Sequence, residues 1–343
     1  MRKLYFIFSA IVMLNSCSGN SDEITENTAT ASPSSKMKGV YIAGSENDQA
    51  CYWKDNEKVV LTDGNNYLAT KVFVDDNHTY VISMHTPDSK PYIWVDNVKK
   101  KINDYYNLPA SNDVYFMNAY LDHNDFYLLG IIYNPNEPTA DKYEVCYWKN
   151  GVKTSLTKVS STQKIAAKNL TVSQNNVYVA VRFREQYTGN VLDNGYYKNG
   201  QYISLNKAGY YLEGVFGNDD NLKLMYRNDV ACTINSVDLL NNTNQIHGIS
   251  NPEKMFFNNG NIYVKGLSEV LKNNTKTYIS YDGGVYYNIT DFEVNKDGTD
   301  TYIIKQYAAA NPSYSIMYKN NTEYKKMTPS LDKGYMFDIF IKD

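Results

Sequence analysis

The residues able to ligate a metal, attack a carbonyl or shuttle a proton are few in this chain and poorly spaced for those tasks. The four histidines are His78, His85, His123 and His247. No two of them have zinc-ligand spacing and none has a cysteine nearby, so no metal is expected. The four cysteines are Cys17, Cys51, Cys146 and Cys232. The last three share one repeat position, in strands of different units, so their Cα atoms should lie far beyond the roughly 7 Å that a disulfide spans. They read as buried small hydrophobes. There is no Gly-rich phosphate loop and no Gly-x-Ser-x-Gly elbow, and no cofactor is expected. Carboxylates abound, but cleavage of a glycosidic bond needs two held across a cleft at a fixed separation, so no catalytic pair is nominated.

One stretch invites a glycosidase reading. Ser280-Tyr281-Asp282-Gly283-Gly284-Val285-Tyr286-Tyr287 resembles the Asp-box of sialidase-like propellers, Ser-x-Asp-x-Gly-x-Thr-Trp, with tyrosines in place of Thr and Trp. It aligns with a turn between the third and fourth strands of the other repeat units, where Asp and Gly serve the backbone. A cluster of arginines to hold a sialic acid carboxylate reads as missing, since Arg182, Arg184 and Arg227 are the only arginines past the N-terminal segment.

Those residues must be positioned by a repeat that covers most of the chain. Its best copy is Cys146-Tyr147-Trp148-Lys149-Asn150-Gly151, followed by Val152 to Thr157, and it reads as strand, tight turn, strand. Asn-Gly suits a type I′ turn, and the flanking β-branched and aromatic residues suit a pleated sheet. Further copies run from Cys51 to Asn56, Gly195 to Gly200 and Ile316 to Asn321. A second mark, a Val-Tyr-Val-like strand, recurs at Val40, Thr79, Phe126, Val177, Leu222, Ile262 and Thr301. The spacing of roughly 40 to 50 residues is that of four-stranded propeller blades. The expected fold is all-β, a seven-bladed β-propeller, with six or eight blades as the alternatives. The first unit lacks an inner strand, and the chain finishes on Tyr335 to Ile341, an inner-type strand with nothing after it. The two ends should therefore complete one blade and close the ring. Tyr335, Phe337, Ile339 and Ile341 alternate as the apolar face of that strand.

The first residues carry an address. Arg2 and Lys3 precede an apolar run from Leu4 to Leu14, the length of a signal-peptide core and too short to span a bilayer. Leu14-Asn15-Ser16-Cys17 resembles a bacterial lipobox, which implies acylation of Cys17. Residues 1–16 are read as signal peptide and 17–37 as lipidated cysteine and tether, a composition too poor in large apolar residues to fold. The propeller domain is read as 38–343. Ser21-Asp22-Glu23 resembles export signals of surface lipoproteins. Net charge is −3, without the basic footprint that nucleic-acid binding requires.

The repeats Val40-Tyr41-Ile42-Ala43-Gly44 and Tyr147-Trp148-Lys149-Asn150-Gly151 resemble those of secreted Bacteroidetes lipoproteins with propeller folds. The resemblance implies a fold and an outer-membrane location, surface-exposed or facing the periplasm, but no activity. One end of the array has short turns, whereas the connections Asp104 to Asn112, Tyr133 to Lys142, Arg184 to Asp193 and Leu267 to Asn274 read as elaborated. Loops on a rigid scaffold are where binding residues tend to sit. Tyr105, Tyr106, Asn134, Glu137, Arg184, Glu185 and Tyr187 are the candidates, the tyrosines as exposed stacking surfaces and the rest as hydrogen-bonding groups. The functional expectation is a lipid-anchored, monomeric, non-enzymatic binding module for a glycan or a host protein. The alternative is a polysaccharide-active hydrolase or lyase on the same fold.

Overall fold

The Asn-Gly and Asp-Asn pairs that mark the repeats do two jobs. The computed structural model describes residues 37–85, 90–205, 210–228, 233–239, 244–247, 249, 252–279, 281–282, 285–308, 310, 313–328 and 334–343. In it, Asn150 and Gly151 have φ of 47° and 85°, and Asp55 and Asn56 have 47° and 74°. That is the left-handed backbone a type I′ turn demands of both central residues. The first turn residue also reaches sideways. Oδ1 of Asp55, Asn150, Asn199 and Asn320 accepts the backbone N–H of Val40, Phe126, Val177 and Thr301 at 2.8–2.9 Å. Asp96 and Asn273 do the same for Thr79 and Ile262. The turn that joins the two outer strands thus also pins the start of the strand inside them, and glycine in the first position would lose that bond.

The strands are β1 (Gly39–Glu46), β2 (Gln49–Lys54), β3 (Glu57–Asn65), β4 (Leu68–Val74), β5 (Thr79–His85), β6 (Tyr92–Val95), β7 (Val98–Lys101), β8 (Asp113–Asp122), β9 (Asp125–Tyr133), β10 (Tyr143–Lys149) and β11 (Val152–Val159). They continue as β12 (Gln163–Ser173), β13 (Asn176–Glu185), β14 (Val191–Lys198), β15 (Gln201–Ser204), β16 (Tyr210–Gly217), β17 (Leu222–Asn228), β18 (Thr233–Asp238), β19 (Asn244–His247), β20 (Pro252–Asn258), β21 (Asn261–Gly266), β22 (Glu269–Lys272) and β23 (Thr275–Ile279). The last are β24 (Tyr281–Asp282), β25 (Val285–Tyr286), β26 (Asn288–Val294), β27 (Thr301–Tyr307), β28 (Tyr314–Lys319), β29 (Thr322–Met327) and β30 (Tyr335–Lys342).

Among the described residues these form seven four-stranded sheets: β30-β1-β2-β3, β4 to β7, β8 to β11, β12 to β15, β16 to β19, β20 to β23 and β26 to β29. Each is an antiparallel meander. The first is completed by the chain's end, with Gly39 opposite Lys342 and Ser45 opposite Tyr335. The expected pairing of the two ends in one sheet is therefore present.

The core lies between neighbouring sheets. Ile82 and Ile93 of one meet Phe116, Leu128 and Trp148 of the next, and Leu129 and Tyr147 in turn meet Leu170 and Val179. Trp53, Trp94 and Trp148, each on the third strand of its sheet, are fully buried. A Cβ added to Gly130 would lie 3.0 Å from the Trp148 ring, and one on Gly44 would lie 2.8 Å from Trp53. The glycine of the Val-Tyr repeats leaves room for the tryptophan beside it. Cys51 and Cys146 are buried free thiols on β2 and β10, as their repeat position implied. Burial pushes the Cys51 thiol up to about 12 and that of Cys146 higher still. Cys17 and Cys232 lie outside the described residues.

Two assignments are corrected. The Asp-box-like stretch does not occupy the outer turn of its sheet, because Asn273 and Asn274 form that turn. Tyr281–Asp282 and Val285–Tyr286 instead pair as a separate hairpin between β23 and β26. For the same reason Leu267 to Asn274 is not an elaborated connection, since Glu269–Lys272 is a strand. Two Asp/Asn/Gly stretches follow one another in the sequence here, and the first of them, Asn273-Asn274, is the repeat's own turn.

Candidate binding site

The first strand of each sheet, counting β30 as the first of its own, carries one feature that a two-residue alternation does not contain. Pairing with the second strand slips in every case, at Thr70, Met117, Lys168, Glu213, Glu253, Thr290 and Phe337, and β4 slips a second time between Leu68 and Ala69. A bulge sets two residues opposite one, bends the strand and re-aims the side chains beside it. All seven inner strands then line one cavity of about 500 Å³, which includes Lys71, Asn118, Lys168, Asn169, Glu213, Glu253, Lys254, Asp291, Glu293 and Asp338.

Residues just past the bulges bind one inner strand to the next. Asp291 Oδ2 accepts Ile339 N–H at 2.8 Å, and Asp338 Oδ2 accepts Val72 N–H at 3.0 Å. Asn169 Oδ1 accepts Val215 N–H at 2.9 Å, while its amide donates to Val215 O at 2.5 Å. At the matching position of β16 stands Gly214, where a Cβ would come 2.8 Å from Asn169 Oδ1.

The cavity's charges are paired. Lys71 Nζ lies 2.5 Å from Asp338, Lys254 Nζ lies 3.1 Å from Asp291 and also contacts Glu293, Lys265 pairs with Glu253, and Lys168 lies 3.4 Å from Glu213. Burial works against the Lys71 and Lys254 ammonium groups, but the surrounding carboxylates outweigh it and raise both. Burial, with Asp291 adding to it against the pull of Lys254, raises Glu293 to about 7. For Asp291 the burial effect is overcome by Lys254, Lys71 and Lys265, and its carboxyl is lowered.

The Glu293 shift has a sign that can be measured. A carboxyl raised on folding binds its proton more tightly in the native state, so its stabilising contribution is complete below about pH 4.5 and is lost as pH rises towards 7. With the Glu293 side chain 23% exposed, the effect is at most on the order of 3 kcal/mol. Denaturation of the parent between pH 4.5 and 8 should show this decline, and Glu293→Gln should flatten it. Parallel curves for the two proteins would remove Glu293 as its source.

The arginines read as too few for a cluster do gather. The Arg182, Arg227 and Arg184 guanidinium carbons lie 5.0, 5.5 and 5.7 Å from the centre of the Tyr211 ring. Arg182 and Arg184 are two apart on β13 and so share a face, while Tyr211 and Arg227 are cross-strand partners on β16 and β17. Arg182 and Arg227 each stand five residues after the start of the Val-Tyr-Val mark, at Val177 and Leu222. Aligning adjacent repeats would have revealed that equivalence.

The sequence candidates fare unevenly. Tyr106 is a correction: it is 6% exposed and stacked on Trp148 at 4.6 Å, so it offers no stacking surface. Tyr105, in the short helix Ile102–Tyr105, is half-buried edge-on to Tyr106 at 4.8 Å and packs on the same core. The apolar Ile102 pulls this connection inward. Asn134 accepts the N–H of Asn136 at 3.0 Å within its own turn, and Glu137 lies 3.8 Å from Lys158. Glu185 accepts the Thr188 hydroxyl and closes its loop. Tyr187 is 89% exposed, on the connection that follows Arg184 and Glu185. The structure therefore brings Arg184, Glu185 and Tyr187 into one loop region and leaves the other four in separate connections. His78 pairs with Asp96 at 2.5 Å and His123 with Asp122 at 2.9 Å. Among the described residues no group of three His, Cys, Asp or Glu is placed to hold a metal.

No protein-family model and no curated protein sequence matches the chain. Among solved structures it is similar to a prolyl endopeptidase, at 12% identity and a TM-score of 0.50, over 89% of this chain and 50% of that one. It is also similar to a puromycin-hydrolysing peptidase of Mycobacterium tuberculosis, at 11% and 0.49, over 86% and 54%. A third likeness is to a quinonprotein alcohol dehydrogenase-like protein of Bacteroides thetaiotaomicron, at 12% and 0.38, over 89% and 92%. The chain spans about half the length of the two peptidases. At such identities the likeness speaks to fold alone, and the fold is an all-β propeller with four-stranded blades.

Proposed function

We propose that the seven sheets are the blades of one closed ring, held at the cell surface by a lipid on Cys17, and that this ring is a non-enzymatic binding module for a glycan or a host protein. The observation that carries the binding reading is that every carboxylate lining the cavity, Glu213, Glu253, Asp291, Glu293 and Asp338, is paired with a lysine. A general acid or base must be available to a substrate proton, whereas these groups are engaged by one another and by the backbone. Exposed Tyr187, beside Arg184 on a rigid strand end, suits recognition of a sugar ring or a partner surface.

The test uses the full chain. It should fractionate with the outer membrane, and Cys17→Ser should shift it to the soluble fraction. On arrays of glycans and host extracellular proteins, Tyr187→Ala should weaken a captured ligand about thirtyfold, the scale of a lost aromatic hot spot. Changes at Lys149 and Lys198, on the opposite turns, should leave it unaltered. Equal losses from the lysine changes would place binding on the wrong face, and membrane retention of Cys17→Ser would remove the anchor.

A polysaccharide-active enzyme remains the second reading, supported by one observation. Asp291 and Glu293 share Lys254 yet are pushed in opposite directions, the pattern of an acid and base pair. Turnover of an oligosaccharide that Glu293→Gln abolishes without loss of fold would favour it.

A further inference from the structure

Elsewhere along the cavity each lysine has at least one carboxylate partner, but beside β13 and β16 Lys168, Arg182 and Arg184 share one carboxylate, Glu213, among the described residues. We propose that Arg182, Arg184 and Arg227, gathered around Tyr211, bind the oxyanion of an acidic saccharide, a carboxylate or a sulfate group, that enters from the end of the sheets bearing the connection between β13 and β14, residues 186–190. The proposal rests on the binding reading above and narrows its ligand.

Three observations carry it. First, Arg182 is 4% exposed, yet its Nε has no hydrogen-bond partner, and neither has the buried Nε of Arg184. Among the described residues the partners of Arg182, the Leu212 carbonyl and Glu213, both meet the same terminal nitrogen. Buried donors of a charged group left unpaired are costly, and an incoming oxyanion would satisfy them. Second, the local charge does not balance. Leaving Arg227 aside, Lys168, Arg182 and Arg184 have among the described residues only Glu213 to share, at 3.4 Å from Lys168 and 3.6 Å from Arg182. Burial, with Arg184 and Arg227 beside it, lowers the Arg182 guanidinium, as expected where like charges are crowded without enough counter-charge.

Third, the forks are held in place. All three guanidinium groups lie against the Tyr211 ring within 5.7 Å. A guanidinium fixed in this way presents parallel donors that match the two oxygens of a carboxylate or sulfate, with little ordering left to do on binding. A saccharide is favoured over a bare anion because the chain leaves Arg184 directly into the loop that carries Tyr187, an exposed ring available for stacking. Arg184 is only half-buried and is the more accessible of the two arginines on β13.

Calorimetric titration of the detergent-solubilised full chain tests this with four probes: a uronic-acid trisaccharide, a sulfated neutral disaccharide, a neutral hexose trisaccharide and sodium sulfate. At least one acidic saccharide should bind, and the neutral trisaccharide should bind at least about tenfold more weakly. Whichever acidic probe binds assigns the group as carboxylate or sulfate. Arg184→Gln, with an unchanged melting midpoint, should weaken that binding about tenfold to a hundredfold. Arg227→Lys, which keeps the charge and loses the fork, should also weaken it. The proposal is overturned if neither acidic saccharide binds, if both arginine variants match the parent, or if sodium sulfate binds as tightly as the saccharides. Binding of the neutral trisaccharide that ignores both variants would remove the arginine site and leave the binding reading standing.

Discussion

Deletion of Gly334–Asp343 should leave a protein with no cooperative melting transition that elutes as aggregate. The segment contains β30, which carries three separate connections. Its backbone pairs with β1 from Gly39 to Ser45, so its loss exposes a sheet edge ready to pair with another chain. Met336 and Ile339, each 2% exposed, belong to one buried cluster with Ile42 and Trp53 on one side and Tyr302, Ile304 and Met317 on the other. Burial of two such side chains contributes about 3–6 kcal/mol. Asp338 and the Ile339 N–H add polar links to Lys71, Val72 and Asp291. The total approaches the roughly 5–15 kcal/mol that a domain has in hand. A truncated protein that stays monomeric and melts at the parent temperature would show that β30 does not hold the ends together.

What could be read ahead of the structure follows from which physical signals are local. The hairpins were legible because a type I′ turn needs particular residues at two adjacent positions, and Asn150-Gly151 or Asp55-Asn56 announce it wherever they fall. The second strands were legible because Val-Tyr-Val marks a pleated segment buried on both faces. The chain-end pairing followed from counting strands rather than from any contact. Where the reading fails, Asn273-Asn274 and the Asp282-Gly283-Gly284 stretch offer the same turn chemistry close together in sequence, and composition gives no way to choose between them.

The site was much less legible, for a different reason. The apolar alternation of Tyr335, Phe337, Ile339 and Ile341 treats β30 as regular, but the slip at Phe337 reverses the parity. Met336 and Ile339 are buried, and Tyr335 is 36% exposed. The slip turns Asp338 towards the cavity, and the same slip in other inner strands turns Lys71, Lys254 and Asp291 there. A bulge is set by the pairing of strands distant in space, and no local residue signature marks it here. Loop length misled in a similar way: Tyr105 and Tyr106 sit in a long connection, yet Trp148 offers Tyr106 a ring to stack on, and burial of that area outweighs exposure. The arginines were three residues in two repeats, and only superposing those repeats brings Arg182 and Arg227 into equivalent positions.

Asp338→Ala should be the most damaging single substitution at the inner ring. It removes the acceptor from Val72 N–H, a buried donor bonded at 3.0 Å, and the partner from Lys71 Nζ at 2.5 Å. A buried donor left unmade costs about 1–3 kcal/mol. The Lys71 side chain is 39% exposed, so water recovers part of the ionic loss. A total of about 2–4 kcal/mol is expected, visible as a fall of several degrees in melting midpoint. The repeat itself supplies the control. Asn169 stands at the equivalent position past its own bulge and holds Val215 N–H at 2.9 Å with an amide oxygen, so an uncharged side chain of that shape can bridge neighbouring inner strands. Asp338→Asn keeps an acceptor for Val72 and gives up only the charge, and it should lose less than half of what Asp338→Ala loses. If the two variants are equally unstable, the Lys71 ion pair rather than the backbone bridge is what β30 contributes at this point. If neither loses stability, the inner ring is held by apolar packing alone, and the paired charges lining the cavity are then free to serve a ligand.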